Sequence, residues 1–105
     1  MSNGGFGEGR GEPSATVHGR VGEVEVVLEE RSGTGYHWAV SGCPSAVFPL
    51  GDSLLPPASS SPGALSRRRF RFKVIAPGVH EVQFELKRGW EAMPARRCTA
   101  QLVIE

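Results

Sequence analysis

The strongest constraint on the fold of this chain is the alternation of apolar and polar residues in four separate segments. Apolar side chains occupy every second position in residues 24–28, 70–74, 82–86 and 98–104. A period of two places successive side chains on opposite faces of a β-strand, whereas an amphipathic helix needs a period of 3.6. No segment of the sequence carries a convincing 3.6-residue period, so the chain is predicted to be all-β.

Three weaker segments bring the predicted number of strands to seven. Ala15 and Val17 indicate a first strand, residues 36–40 indicate a third, and residues 47–50 indicate a fourth. Pro49 assigns the fourth strand to a sheet edge, because proline cannot donate a hydrogen bond to a neighbouring strand. Seven short strands separated by turns rich in Gly, Pro and Ser predict an immunoglobulin-like antiparallel β-sandwich.

The segment Ala76-Pro77-Gly78 is interpreted as a hairpin turn between the fifth and sixth strands. Proline presets the backbone and glycine accepts a positive φ, as the middle of a type II turn requires. If both apolar sets face one side, the hairpin pairs Phe72 with Val82, Phe70 with Phe84, Lys73 with Glu81, Arg71 with Gln83 and Arg69 with Glu85. This register predicts two charge pairs, each worth about 0.2–1 kcal/mol, and a bulge beside the turn.

The composition indicates one domain and argues against several classes of partner. A chain of 105 residues forms a single domain with a modest core. Residues 1–13 are rich in glycine, so they are predicted to be a flexible tail ahead of a domain over residues 14–105. A net charge of +1 gives no global attraction for nucleic acid or an anionic membrane. No apolar run approaches the roughly 18 residues that span a bilayer.

The same features bear on location and assembly. Residues 1–13 contain no apolar segment of the kind found in signal peptides. A cytoplasmic location is therefore expected if the chain is full length. We also expect the domain to be a monomer.

The cysteines and histidines give no pattern of a cofactor or catalytic site. Cys98 is in phase with the apolar residues of the last segment and is expected in the core, whereas Cys43 lies in a turn. A disulfide between the two is left open. His18, His37 and His80 lack the spacing of metal ligands, and a nucleophilic Cys43 beside His37 would lack an oxyanion motif. We therefore expect no metal, no cofactor and no catalysis.

A basic segment, residues 67–73, interleaves arginine and lysine with two phenylalanines. Sheets that bind nucleic acid present aromatic and cationic side chains on one accessible face. In a strand, this alternation sends the cations and the rings to opposite faces. The cations also have acidic partners in the predicted register, so we expect no nucleic-acid partner.

Three connections are predicted to meet at one end of the sandwich. Connections between successive antiparallel strands alternate between the two ends, so the second (31–35), the fourth (51–66, interpreted as a long loop) and the sixth (88–95) fall together. Clustered loops on a rigid scaffold are a common binding geometry. Trp90 in the sixth connection either contacts a partner or folds back to cap the core, and both interpretations are open.

These three connections carry sequence signatures in a specific order. The signatures read Arg31-Ser32-Gly33-Thr34-Gly35-Tyr36, followed by Trp38, then Gly63-Ala64-Leu65-Ser66, then Arg88-Gly89-Trp90-Glu91. With this order and spacing the chain resembles the chagasin-like inhibitors of papain-type cysteine proteases. Their signatures are Asn-Pro-Thr-Thr-Gly-Tyr, Gly-x-Gly-Gly and Arg-Pro-Trp. The resemblance covers about residues 17–104.

The resemblance implies a reversible inhibitor of a papain-type cysteine protease, and not an enzyme. The loop that contains Thr34 would lie over the catalytic cysteine of the protease. The loops that contain Gly63 and Trp90 would clamp the two rims of the cleft. All residues of the three signatures, from Arg31 to Tyr36, Gly63 to Ser66 and Arg88 to Glu91, are therefore the expected protease-binding residues.

The signatures differ from those of the family at several positions. Arg31-Ser32 replaces Asn-Pro, Gly33 replaces a threonine, Gly89 replaces a proline, and Leu65-Ser66 replaces two glycines. Loss of a compatible proline costs about 0.4–1 kcal/mol of pre-organisation in the free loop. These differences leave a second hypothesis, in which the chain is an immunoglobulin-like interaction module without protease inhibition.

Overall fold

The computed structural model of the protein describes residues 14–30, 34–56 and 65–105. In chain order, these residues form the strands β1 (Ser14–Gly19), β2 (Gly22–Glu30), β3 (His37–Gly42), β4 (Val47–Leu55), β5 (Ser66–Val74), β6 (Gly78–Lys87) and β7 (Arg96–Ile104). The predicted seven-stranded all-β fold is confirmed. The predicted tail, residues 1–13, lies outside the described residues. In the described ranges, no helix has the length and hydropathy to cross a bilayer.

The strands form two sheets that pack face to face. One sheet has the order β1-β7-β6-β3, and the other has the order β2-β5-β4. Strand pairs are antiparallel, except that β1 runs parallel to β7. This is the immunoglobulin-like sandwich predicted from the sequence, with one parallel pair at an edge.

The predicted hairpin between β5 and β6 is wrong. The two strands belong to different sheets, and the connection through Pro77 crosses from one sheet to the other. β5 pairs instead with β2 and β4, where Phe72 lies opposite Val24 and Pro49. Periodicity identifies which side chains point inward, but it cannot tell whether two inward faces belong to one sheet or to two facing sheets.

The charge pairs on the outer faces follow the observed pairing and not the predicted hairpin. The observed pairs are Arg69–Glu25 at 3.9 Å, Arg71–Glu23 at 3.6 Å and Glu85–Arg97 at 3.8 Å. The first two join β5 to β2, and the third joins β6 to β7. Pairs of this exposed kind contribute about 0.2–1 kcal/mol each. They therefore add little to the stability of the fold, and their main effect is to favour the observed strand register.

The core lies between the sheets and is built from the residues that the alternation directs inward. Phe84 on β6 packs against Phe70 and Phe72 on β5, with ring centroids 4.8 and 6.2 Å apart. The aromatic contact expected within a hairpin is therefore made across the two sheets. Cys98 is buried in this core, as predicted, whereas Cys43 is half-buried, and both thiols are free.

β4 extends further than the sequence indicates. It continues to Leu55, so residues 51–55 belong to the strand and not to the predicted long loop. Pro49 lies in an edge strand, as predicted, and the register shifts between Pro49 and Gly51. Gly51 has a φ of +150° there. The bulge accommodates Pro49, which cannot donate a backbone hydrogen bond, and the strand continues after the bulge.

The position of Phe84 between the sheets predicts the effect of truncating it. Phe84→Ala removes a fully buried ring, and we expect it to lower the free energy of unfolding by about 3–5 kcal/mol. Phe48→Ala on β4, where the residue is 47% exposed, is the matched control and should cost less than about 1 kcal/mol. Urea unfolding measures both values. Equal losses in the two variants would contradict the assigned core.

Candidate functional site

The strand registers place three connections at the same end of the sandwich. His37 at the start of β3 lies opposite Lys87 at the end of β6, so the residues before β3 adjoin the residues after β6. Glu30 at the end of β2 lies opposite Ser66 at the start of β5, which adds the connection that ends at Leu65. The predicted clustering of the connections after β2, β4 and β6 is confirmed.

Arg88 joins the loop before β3 to the loop after β6. Its Nε donates a hydrogen bond to the carbonyl oxygen of Thr34 at 3.2 Å. Its guanidinium carbon lies 4.3 Å from the ring centre of Tyr36 and 5.6 Å from that of Trp90. A cation within about 6 Å of an aromatic ring is attracted to it by roughly 0.5–1 kcal/mol at exposed sites. One side chain therefore fixes the position of the threonine relative to the indole.

The backbone at Thr34 and Gly35 makes a tight turn against the other loop. Oγ1 of Thr34 accepts a hydrogen bond from the N–H of Tyr36 at 3.2 Å. Gly35 has a φ of +82°, a conformation that residues with a Cβ atom avoid. A Cβ atom on Gly35 would lie 3.4 Å from Cη2 of Trp90 and 3.7 Å from Cγ of Arg88. These are ordinary van der Waals contacts, so it is the backbone conformation that favours glycine at this position.

Trp90 projects from its loop into solvent. It is 74% exposed, so the interpretation of Trp90 as a cap on the core is wrong. A turn in which the N–H of Glu91 donates to the carbonyl oxygen of Arg88 at 3.1 Å presents it. Met93 in the same loop is 72% exposed. Large apolar side chains exposed in one loop lose water only when a partner covers them, which is typical of a binding surface.

Parts of two predicted signatures lie outside the described residues. These are Arg31, Ser32 and Gly33 of the first signature, and Gly63 and Ala64 of the second. Leu65 is half-buried and leads into β5. Ser66 is only 3% exposed, which disagrees with its expected role as a protease contact. We therefore assign Ser66 to the framework of the sandwich.

A buried carboxylate lies at the base of this end. Glu30 accepts hydrogen bonds from the backbone N–H of Trp38 at 2.9 Å and from Nδ1 of His37 at 3.0 Å. Nε and Nη2 of Arg68 donate to its two oxygens at 2.9 and 3.0 Å, and Nη1 of Arg68 donates to Asp52 at 2.6 Å. Because an ionised carboxylate only accepts, His37 must carry a proton on Nδ1. Four strands meet at this cluster.

The cluster keeps Glu30 ionised over a wide pH range. Burial alone would raise the pKa of Glu30, but its hydrogen bonds and the charge of Arg68 outweigh burial and lower the pKa to about 2. The hydrogen bond to Glu30, with a smaller contribution from Asp52, raises the pKa of Arg68. The guanidinium and the carboxylate therefore remain a charged, bidentate pair under ordinary solution conditions.

The reactive arrangements considered from the sequence are not assembled. His37 begins β3 and Cys43 follows its last residue, Gly42, so the two lie roughly 20 Å apart at about 3.3 Å per residue and cannot act as base and nucleophile. Burial also raises the pKa of the Cys43 thiol. Over the described ranges, no three His, Cys, Asp or Glu side chains are grouped so that they could hold a metal ion.

A rigid sandwich that presents joined loops and an exposed indole at one end has the architecture of a protein-binding inhibitor. Residues 20–104 match the sequence profile of the chagasin family of peptidase inhibitors, I42. The chain belongs to the chagasin family of peptidase inhibitors. It is accordingly a cysteine protease inhibitor and not an enzyme.

Solved structures of similar fold include inhibitors of cysteine proteases. The crystal structure of EhICP2, a cysteine protease inhibitor from Entamoeba histolytica, shares 23% identity over 91% of this chain and 90% of that one, with a TM-score of 0.64. The structure of PbICP-C in complex with falcipain-2 shares 14% sequence identity over 95% of this chain and 96% of that one, with a TM-score of 0.58. The solution structure of Amebosin shares 16% sequence identity over 88% of each chain, with a TM-score of 0.56. No curated protein matches the chain.

Two contributors to this end, Glu30 and Arg68, were not predicted from the sequence. Glu30 lies two positions after Leu28, and Arg68 lies two positions before Phe70, so both side chains should point to the same face as these apolar residues. In the observed register Arg68 lies opposite Leu28, so Glu30 and Arg68 are diagonal neighbours. The signal in the sequence was a pair of oppositely charged residues, each at a position whose side chain should point inward with the apolar residues of its strand. Met93 gave no signal beyond being a large apolar residue in a loop.

Gly35→Ala should disturb both the fold and the end of the sandwich. It places a Cβ atom at a positive φ and against Trp90, and we expect a loss of about 1–2 kcal/mol in the free energy of unfolding. Relief of the backbone strain at residue 35 should also shift the neighbouring Trp90, since a Cβ atom there would touch its indole at 3.4 Å. Urea unfolding and the chemical shift of the Trp90 indole N–H measure the two effects.

Gly89→Ala is the matched control in the neighbouring loop. A Cβ atom there would meet nothing within 4 Å, and Gly89 does not have a positive φ. The substitution should be neutral or stabilise by about 0.4–1 kcal/mol, because alanine restricts the unfolded chain. If both substitutions destabilise the protein equally, the positive φ assigned to Gly35 is wrong.

Glu30→Gln should make stability respond less to acid. The pKa of Glu30 is lower in the folded than in the unfolded state, so its stabilising contribution is complete above the unfolded value near 4.5 and is lost as the pH falls towards about 2. The difference in unfolding free energy between wild type and Glu30→Gln should narrow by about 2 kcal/mol between about pH 6 and about pH 3. Urea unfolding at each pH measures it.

Glu25→Gln is the control for that titration. Glu25 is exposed and lies 3.9 Å from Arg69, so its removal should cost less than about 1 kcal/mol with little change over the same pH range. A constant difference between wild type and Glu30→Gln from neutral to acid pH would show that Glu30 does not hold a depressed pKa.

Proposed function

We propose that the chain inhibits papain-type cysteine proteases by reversible occlusion, with the end that carries Thr34, Gly35 and Trp90 entering the active-site cleft. Membership of the chagasin family supplies the class of target. Among the proteins of similar fold, PbICP-C forms a complex with falcipain-2. We propose a one-to-one complex, because a single end of a single domain carries the surface.

The observation that carries the proposal is the contact of Arg88 with Thr34, Tyr36 and Trp90. It holds a 74% exposed indole beside the threonine backbone in the free protein. Tryptophan and arginine are the residue types that dominate the energetics of protein interfaces. Because the contact forms before binding, less conformational freedom is lost when the protease is engaged.

Small side chains suit the part that would enter a narrow cleft. Thr34 and Gly35 present mainly backbone, whose N–H and carbonyl groups can hydrogen-bond to the walls of a cleft. Trp90 supplies apolar area at the rim, flanked by Gly89 and Glu91. Inhibition would need no covalent bond to this chain, and it would therefore be reversible.

The signatures extend the proposed surface beyond the described loops. On the first loop they add Arg31, Ser32 and Gly33, and on the second they add Gly63, Ala64 and Leu65. Leu65 adjoins Ser66, which lies opposite Glu30 at the same end. The second loop would thus reach the side of the cleft away from Trp90.

Two truncations test the surface against a panel of papain-type proteases. Trp90→Ala should raise the inhibition constant about 30-fold or more, since exposed interface tryptophans commonly contribute over 2 kcal/mol. Thr34→Ala should raise it about tenfold through loss of the turn that its hydroxyl closes. Unfolding of Trp90→Ala should match the wild type, because the residue is largely exposed.

Val79→Ala is the control for this assay. Val79 is 62% exposed on β6 at the opposite end of the sandwich, and its truncation should leave inhibition unchanged. An inhibitory wild type that is insensitive to both test substitutions would place the contact elsewhere. No inhibition of any protease in the panel at micromolar concentration would favour the interaction module.

A further inference from the structure

We propose that Glu30 is a positioning residue for inhibition: its carboxylate holds the start of β3, and thereby the Thr34–Gly35 tip, in the position that binds the protease. The inference rests on the proposed function, because it concerns how the tip is presented. Glu30 is 3% exposed, so it would act without touching the protease itself.

The topology explains why a carboxylate is needed here. β2 and β3 belong to different sheets, so a hairpin ladder does not join Glu30 to His37. In a hairpin, backbone hydrogen bonds beside the turn fix the geometry of the loop. Here Glu30 replaces them with its side chain. Oε1 accepts from the N–H of Trp38 at 2.9 Å, and Oε2 accepts from Nδ1 of His37 at 3.0 Å.

Arg68 fixes the orientation of this carboxylate. Its Nε and Nη2 meet the two oxygens of Glu30 at 2.9 and 3.0 Å, which is the fork geometry that restrains both partners. Asp52 on β4 holds the remaining Nη1 at 2.6 Å. The acceptors offered to β3 are therefore fixed relative to the β2-β5-β4 sheet.

The path from Glu30 to the tip is short. Trp38 is held a second time, because its Nε1–H donates to the carbonyl oxygen of Glu29 at 2.9 Å. Two residues earlier, Tyr36 donates its N–H to Oγ1 of Thr34 and lies against Arg88, which in turn donates to the carbonyl oxygen of Thr34. A displaced β3 start would move Tyr36 and, with it, the tip.

Stability and positioning can be separated, because a buried ion pair contributes to them in different ways. Removing one partner leaves the other charge buried and destabilises the fold, whereas replacing both partners with apolar side chains removes the desolvation cost. The double replacement still leaves the N–H of Trp38 without the acceptor that Glu30 provides. It should therefore restore the fold and leave the tip misplaced.

The test compares wild type with Glu30→Gln, with Glu30→Met/Arg68→Met and with Val74→Ala, by urea unfolding and by inhibition kinetics on a papain-type protease. We expect Glu30→Gln to lower the urea midpoint and to raise the inhibition constant about tenfold, mainly through slower association, since fewer molecules hold the competent tip. The double variant should recover the urea midpoint while its inhibition constant stays raised.

Val74→Ala is the control for a purely global loss of stability. Val74 is fully buried at the opposite end, where it pairs with Gly22 and Val47. It should lower the urea midpoint and leave inhibition unchanged while the protein is folded at the assay temperature. If Glu30→Gln does not fold, Arg68→Met takes its place, because it removes the fork that orients the carboxylate.

Backbone 15N relaxation gives a second measurement that needs no protease. The order parameters of the Thr34 and Gly35 amides should fall in Glu30→Gln and in the double variant, and should keep their wild-type values in Val74→Ala. Unchanged order parameters in Glu30→Gln, or an inhibition constant that recovers with the urea midpoint in the double variant, overturn the inference. If the wild type inhibits no protease, the proposed function is wrong, and the relaxation data alone then decide whether Glu30 positions the tip.

Discussion

The packing of Phe84 against Phe70 and Phe72 holds the two sheets face to face, and the binding end depends on that packing. The tip before β3 and the indole after β6 both belong to the β1-β7-β6-β3 sheet, whereas the loop before β5 belongs to the other sheet. Any surface that combines all three loops therefore requires a fixed distance between sheets. The buried core, with these rings within it, sets that distance, and the Glu30 cluster adds a polar contact between the sheets at one end.

Within the sheet, two kinds of interaction share the task of presenting the tip. The β3–β6 register brings the two loops together, but a register alone leaves the side chains free. Arg88 then uses one hydrogen bond and two aromatic faces to hold the loops against each other. A proline in place of Gly89 would restrict the backbone of the third loop directly. In this chain the arginine provides part of that restriction from outside the backbone.

The sequence was informative where the inference depended on strand direction and phase. The clustering of the loops follows from the alternating direction of successive strands. Because this alternation does not depend on which strands pair, the clustering was predicted correctly although the β5–β6 hairpin was wrong. Pairing partners did not follow, because the inward phases of Phe70 and Phe84 fit one sheet or two facing sheets equally well. The exposure of Trp90 also required coordinates, since a polar loop can fold an indole inward or outward. Glu30 was not predicted, because a charged residue is rarely buried without a partner, and its partner Arg68 lies on β5, whose pairing with β2 was not predicted.

A charged clamp under the tip has a consequence for how inhibition responds to pH. A carboxylate clamp fails when it is protonated, so its usefulness depends on where its pKa lies. With a pKa of about 2 for Glu30, and with Arg68 a permanent cation, the clamp is intact from neutral pH down to about pH 3. The carboxylate would therefore be available to accept its hydrogen bonds from β3 throughout that range. A change in inhibition between neutral and moderately acid conditions therefore cannot be attributed to protonation of Glu30.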